Sequence, residues 1–121
     1  MKPSVSPLDT FIPAVVLPEG YSGKIMLISI AVGEESLVVL RAGGRWHREI
    51  LRNAEEEIRA RLSGARIDER GGAYLRFEAD GSIFLWGRSD EFGTCDYGRV
   101  AALLKSLWPN RKVAGPFGEM P

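Results

Sequence analysis

From Lys24 the chain runs Ile25-Met26-Leu27-Ile28-Ser29-Ile30-Ala31-Val32, apolar at both alternating sets of positions, the pattern of a strand covered on both faces. Such a strand belongs in the middle of a sheet. Gly33-Glu34-Glu35 makes a short turn, and Ser36-Leu37-Val38-Val39-Leu40-Arg41 returns as the second arm of a hairpin. Pairing Val32 with Ser36 and counting outward sets Lys24 opposite Gly44, and a slip of one residue would turn Lys24 to the other face. Upstream, Pro3, Pro7, Pro13 and Pro18 keep most of the first twenty residues extended or irregular, with Ala14-Val15-Val16-Leu17 as an edge strand.

A helical period takes over from about Arg45 to Leu62. Ile50, Leu51, Ala54, Ile58 and Leu62 form one stripe, Glu55/Arg59 and Glu57/Arg61 are favourable pairs outside it, and Ser63-Gly64 ends it. His47 lies on the line of that stripe, one turn before Leu51 and close to the helix N-terminus. A second hairpin is signalled by Ala73 to Glu78, the turn Asp80-Gly81 and Ile83-Phe84-Leu85-Trp86; pairing Ala79 with Ser82 brings Gly72 opposite Ser89. A second helix from about Gly98 to Trp108 buries Val100, Leu103, Leu104 and Leu107 and stops at Pro109-Asn110, and Lys112-Val113-Ala114 adds a last short strand. The expected fold is an α/β chain of the α+β type: a single mixed sheet flanked by two helices. Residues 1–13 form an irregular lead-in, 14–115 the domain and 116–121 a tail.

Composition narrows the chemistry. A chain of 121 residues with 45% hydrophobic content fits one domain with a continuous core, so one site on one scaffold is expected. Sixteen basic and sixteen acidic residues cancel, which argues against nucleic-acid or membrane-surface binding by global charge. The longest apolar run is too short to span a bilayer, and the first twenty residues lack a secretory plan, so a cytoplasmic monomer is the expectation. Cys95 is the single cysteine and His47 the single histidine, so there is no intrachain disulfide and no zinc-ligand spacing. Cys95 reads as a small half-buried side chain near a helix start rather than a catalytic thiol.

Two hairpins followed by two helices gather Lys24, Gly43-Gly44 and His47 at one hairpin's open end, and Gly71-Gly72 with Arg88-Ser89 at the other's. If those ends are neighbours they build one pocket. Glycines let backbone N–H groups approach an anion, and a helix start adds unpaired N–H groups and a positive dipole end, which suits phosphate. Each piece also has an ordinary reading. A histidine at a helix start is more often a cap, Gly-Gly pairs more often mark turns, and Arg45, Arg48, Arg76 and Arg88 are too many all to be ligands.

Taken in order, these residues resemble the Janus/Ocnus family, to which the small phosphohistidine phosphatase belongs. The resemblance runs from about Val15 to Val113. It is carried by Lys24-Ile25-Met26-Leu27-Ile28, Trp46-His47-Arg48-Glu49-Ile50, Gly71-Gly72 and Trp86-Gly87-Arg88-Ser89-Asp90-Glu91-Phe92-Gly93. It implies hydrolysis of the P–N bond of phosphohistidine on a protein substrate, with neither metal nor other cofactor. His47 would act as nucleophile or as general base on water. Lys24, the amides of His47 and Arg48, and the loop around Arg88 and Ser89 would hold the phosphoryl oxygens, with Gly43, Gly44, Gly71, Gly72, Gly87 and Gly93 as supporting loop positions. The chain departs from the family pattern in three places. Ala73 stands where an arginine follows the glycine cluster, leaving Arg70, Arg76 or Arg88 to replace it; Asp90 and Glu91 make the loop acidic; and Trp46 replaces a tyrosine. A non-catalytic module binding phosphorylated partners on the same scaffold is the alternative expectation.

Overall fold

The computed structural model describes Leu8 and residues 11–115. Most of the expected lead-in 1–13, and the whole of the expected tail 116–121, lie outside the described residues. The elements in chain order are β1 (Val15–Val16), β2 (Ser22–Val32), β3 (Glu35–Ala42), α1 (His47–Arg61), β4 (Arg66–Phe77), β5 (Ile83–Trp86), α2 (Tyr97–Leu107) and β6 (Val113–Ala114). They form one mixed six-stranded sheet in the order β1-β3-β2-β4-β5-β6, with parallel pairs only at the two edges. This is the α+β arrangement that the hydrophobic pattern predicts, with β2 inside the sheet.

The apolar run of β2 is explained by its two neighbours. Met26, Ile28 and Ile30 pack on one face with Ile50, Ala54 and Ile58 of α1. Ile25 and Leu27 pack on the other with Leu75, Ile83, Leu85 and, from α2, Val100 and Leu104. Each such side chain, fully buried, contributes roughly 1.5–3 kcal/mol. Asp96 caps α2 by accepting from the Arg99 N–H at 3.1 Å, whereas α1 begins at Trp46 without a side-chain cap.

Both expected hairpin registers are corrected by one residue. In the first, Val32 pairs with Glu35 and Ala31 with Ser36, because Gly33 takes φ +59° and closes a tighter turn. The ladder ends at Ile25–Ala42, and Lys24 pairs instead with Tyr74 on β4. In the second, Asp80 Oδ1 accepts from the Ser82 N–H at 2.9 Å and its hydroxyl at 2.7 Å, while the Glu78 N–H donates to Ser82 O at 2.8 Å. That widens the turn, pairs Phe77 with Ile83 and Tyr74 with Trp86, and ends the ladder before Gly72 and Ser89 can meet.

β4 also begins at Arg66, well before the expected Ala73. Gly71 and Gly72 therefore lie inside a strand and not in a loop. The β2–β4 pairing shifts there, with Met26 opposite Gly72 but Ile28 opposite Glu69. Gly71 has φ +90°, and a Cβ on it would lie 2.6 Å from the Thr94 carbonyl, so the bulge requires glycine.

One half-buried ion pair ties the sheet to α1. Arg41, 3% exposed, donates from Nε and Nη2 to the Glu57 carboxylate at 2.8 and 2.9 Å, and to the carbonyls of Leu40 and Pro13 at 2.9 Å each. Glu57→Ala leaves that guanidinium with only its two carbonyl partners and is expected to lower stability by about 1–3 kcal/mol. A urea midpoint equal to that of the wild type would show that the pair contributes nothing.

Candidate functional site

His47 is the first residue of α1, and its ring turns inward against the sheet, leaving the residue 6% exposed. Its Nε2 lies 3.1 Å from the Ala73 carbonyl oxygen. A carbonyl can only accept, so Nε2 carries the proton and Nδ1 the lone pair. Among the described residues, Trp86 Nε1 is the sole buried side-chain nitrogen or oxygen without a partner. His47 Nδ1 makes no hydrogen bond to a described residue either, so it keeps contact with solvent.

Room for this ring comes from a glycine. A Cβ on Gly72 would lie 2.5 Å from His47 Cδ2 and 2.8 Å from Nε2, closer than packed atoms approach. The opposite edge is set by Tyr74, whose ring meets the imidazole edge-on with centroids 5.7 Å apart. Tyr74 is itself stacked on Trp86 at 5.6 Å.

Lys24 reaches the same spot through the β2–β4 ladder. Its Nζ lies 5.1 Å from the centre of the Tyr74 ring and 5.7 Å from that of Trp46, the residue before His47. The ammonium and the imidazole thus share Tyr74 as a common wall. Tyr74 is the site residue that the sequence reading missed; the strand register across from Lys24 is the signal that would have found it.

The backbone contributes less than expected at one end and more at the other. The Gly43 N–H donates to the Tyr21 hydroxyl at 3.2 Å, and that hydroxyl donates to the Lys24 carbonyl at 2.8 Å, closing the open end of the hairpin. Gly44 packs against Ile50, where a Cβ would lie 2.8 Å from its Cγ1. By contrast, the N–H groups of His47 and Arg48 have no acceptor among the described residues and face the N-terminal end of an uncapped helix.

The other expected ligands divide. Ser89 is buried, and its Oγ accepts from the amides of Glu91 and Phe92 at 3.2 and 3.0 Å, so the hydroxyl shapes its own loop. Ser89 and Gly93 pair backbone to backbone, and the Gly72 N–H donates to Gly93 O at 3.0 Å, which stitches that loop onto β4. The Gly87 carbonyl accepts from the Tyr97 hydroxyl, holding the chain just before Arg88. Arg48 is ion-paired with Glu91. Arg88 is exposed and without an ion pair among the described residues.

Ala73 cannot stand in for a site arginine, since its side chain points into the core on the α2 side. Of the proposed replacements, Arg70 donates to Ser29 Oγ at 3.1 Å, and Arg76 pairs with Glu78 while lying over Phe84 and Trp86. Arg88 alone remains uncommitted. Cys95 is buried, and burial pushes its thiol up to about 11, so it is an inert core group. Among the described residues no three His, Cys, Asp or Glu side chains converge as a metal site would require, and no helix is long and apolar enough to cross a membrane.

Burial holds the His47 pKa below the ordinary histidine value; the Ala73 carbonyl opposes this, the Lys24 charge adds to it, and Asp90 weakly opposes it. The neutral imidazole therefore persists as pH falls through 6.5, the ordinary histidine value. An unfolded chain takes up the proton first, so this group withdraws stability on acidification below the ordinary value and contributes nothing above it. Nitrogen NMR of the ring should place its titration below that of a free histidine; titration at or above it would contradict the burial argument.

The Janus/Ocnus family model matches residues 10–112 of this chain. No curated protein matches it.

Proposed function

Because the chain belongs to the Janus/Ocnus family, we propose that it hydrolyses the P–N bond of phosphohistidine on proteins without a metal, using His47. The observation that carries this reading is the fixed tautomer: Nε2–H is held by Ala73 O, leaving the Nδ1 lone pair toward solvent at the start of α1. Nδ1 either attacks phosphorus, the histidine nitrogen of the substrate departing with a proton, or takes a proton from the attacking water. In the first route water then cleaves the phosphorylated His47. Lys24 offsets negative charge on the phosphoryl oxygens, and the free amides of His47 and Arg48 donate hydrogen bonds to them. Arg88 can add a further charge from the exposed loop.

The test is release of phosphate from phosphoramidate and from a phosphohistidine peptide with a chelator present. Turnover insensitive to the chelator supports the proposal. Absence of turnover on both would remove it.

A binding module is the second reading, favoured by one commitment. The Arg48 guanidinium is taken up by Glu91, which leaves one group fewer to stabilise a transition state. On that reading phosphate binds and no P–N bond breaks, so calorimetric titration with phosphate beside the assay separates the two.

A further inference from the structure

We propose that a cleft of about 690 Å³ on the outer side of the first turns of α1 docks an acidic segment of the polypeptide partner. The identity of that polypeptide as a substrate rests on the phosphatase reading; the docking itself does not. Arg45, Trp46, Arg48, Glu49, Arg52 and Glu91 line the cleft, and Trp46 and Arg48 flank His47 in the chain. It lies immediately beside the candidate phosphoryl site.

Both carboxylates in the cleft accept hydrogen bonds from neighbouring arginine residues, and three arginines against two carboxylates leave the lining a formal excess of one positive charge. Glu49 Oε1 accepts from the backbone N–H of Arg45 at 2.8 Å, and Glu91 accepts from Nε and Nη2 of Arg48. The guanidinium groups of Arg45 and Arg52 have no ion pair among the described residues, although Glu56 lies one helical turn beyond Arg52 and Glu55 borders the adjoining groove. The cationic excess is local, since the chain as a whole has a formal charge of +0. What such a surface takes is indicated by its own occupant: Arg48 is held by a carboxylate.

Trp46 supplies the apolar half. It is 62% exposed, the most exposed large hydrophobic among the described residues, with the Lys24 ammonium over its ring. An exposed indole among arginines is the composition of an interface centre. The groove continues along α1 past Leu51 to Phe92, giving an extended segment apolar contact beyond the arginines. Two uncommitted guanidinium groups beside two carboxylates are a poor match for a nucleic-acid backbone, which is held by many cations at once.

Glu91 competes with the partner for Arg48. Removing it should therefore strengthen docking, an effect that a structural role would not produce.

The experiment is fluorescence anisotropy of a fluorescein-labelled Glu/Gly peptide on the full chain at low salt, with a Lys/Gly peptide and a single-stranded RNA as comparisons. The acidic peptide should bind and the basic one should not. Arg45→Glu with Arg52→Glu should weaken binding about tenfold, and Glu91→Gln should tighten it about threefold, as expected of exposed charge pairs. Equal binding of the two peptides, stronger binding of the RNA, or affinity indifferent to the arginine reversals would overturn the proposal. Phosphoramidate hydrolysis, which needs no docking, reads the phosphatase proposal separately. Peptide binding without turnover sinks only that proposal, and turnover without peptide selectivity sinks only the docking site.

Discussion

His47→Ala is expected to lower phosphoramidate and phosphohistidine hydrolysis by about a thousandfold, the range that a positioned base or nucleophile contributes. The substitution removes the Nδ1 lone pair and leaves Lys24 and the helix-start amides, so phosphate binding should survive in weakened form. It also frees the Ala73 carbonyl, whose hydrogen bond at 3.1 Å is lost, and some stability goes with it. Rates are therefore read on protein shown to be folded by its denaturant midpoint. Wild-type turnover in folded His47→Ala would take the imidazole out of the reaction.

Gly72→Ala tests the same centre without touching a reacting atom. The added methyl would lie 2.5 Å from His47 Cδ2 and 3.0 Å from the Ile25 carbonyl, so either the ring or the β2–β4 pairing must give way. Backbone is the stiffer of the two, and the ring is expected to swing from Ala73 O. A displacement of this kind lowers turnover by about a hundredfold, with about 1–3 kcal/mol of stability lost to overpacking. A merely structural glycine would lose stability at unchanged turnover per folded molecule, and that result would contradict the account of how the ring is positioned.

Much of the architecture was legible because it is written in strong periodicity. The two-parity apolar run of β2 and the stripe of Ile50, Ala54 and Ile58 each admit one reading, and the structure has both elements within a few residues of the expected bounds. What failed depends on single side chains and single dihedrals. Asp80 holding Ser82 widened one turn, and Gly33 tightened the other. The first half of β4, Arg66 to Gly72, reads as polar with a glycine pair, and its place beside β2 follows from a bulge at Gly71 that no alternation signals. The candidate site shows the same division. His47 and Lys24 could be picked out from their positions on a helix start and a strand start. Tyr74, the wall between them, needed the pairing of β2 with β4, two strands far apart in the chain whose register no turn signals. Arg48 looked like a ligand because residue type says nothing about a glutamate already holding it.

The most direct measurement follows the two ring nitrogens of His47 by NMR while inorganic phosphate is titrated into the wild-type chain and into Lys24→Ala. In the wild type the Nδ1 resonance should move with phosphate and its titration should shift upward, with Nε2 still protonated and hydrogen-bonded; in Lys24→Ala the response should need far more phosphate. A ring blind to phosphate, or one that responds identically with and without the lysine, would mean that the imidazole and the ammonium do not act on a common anion.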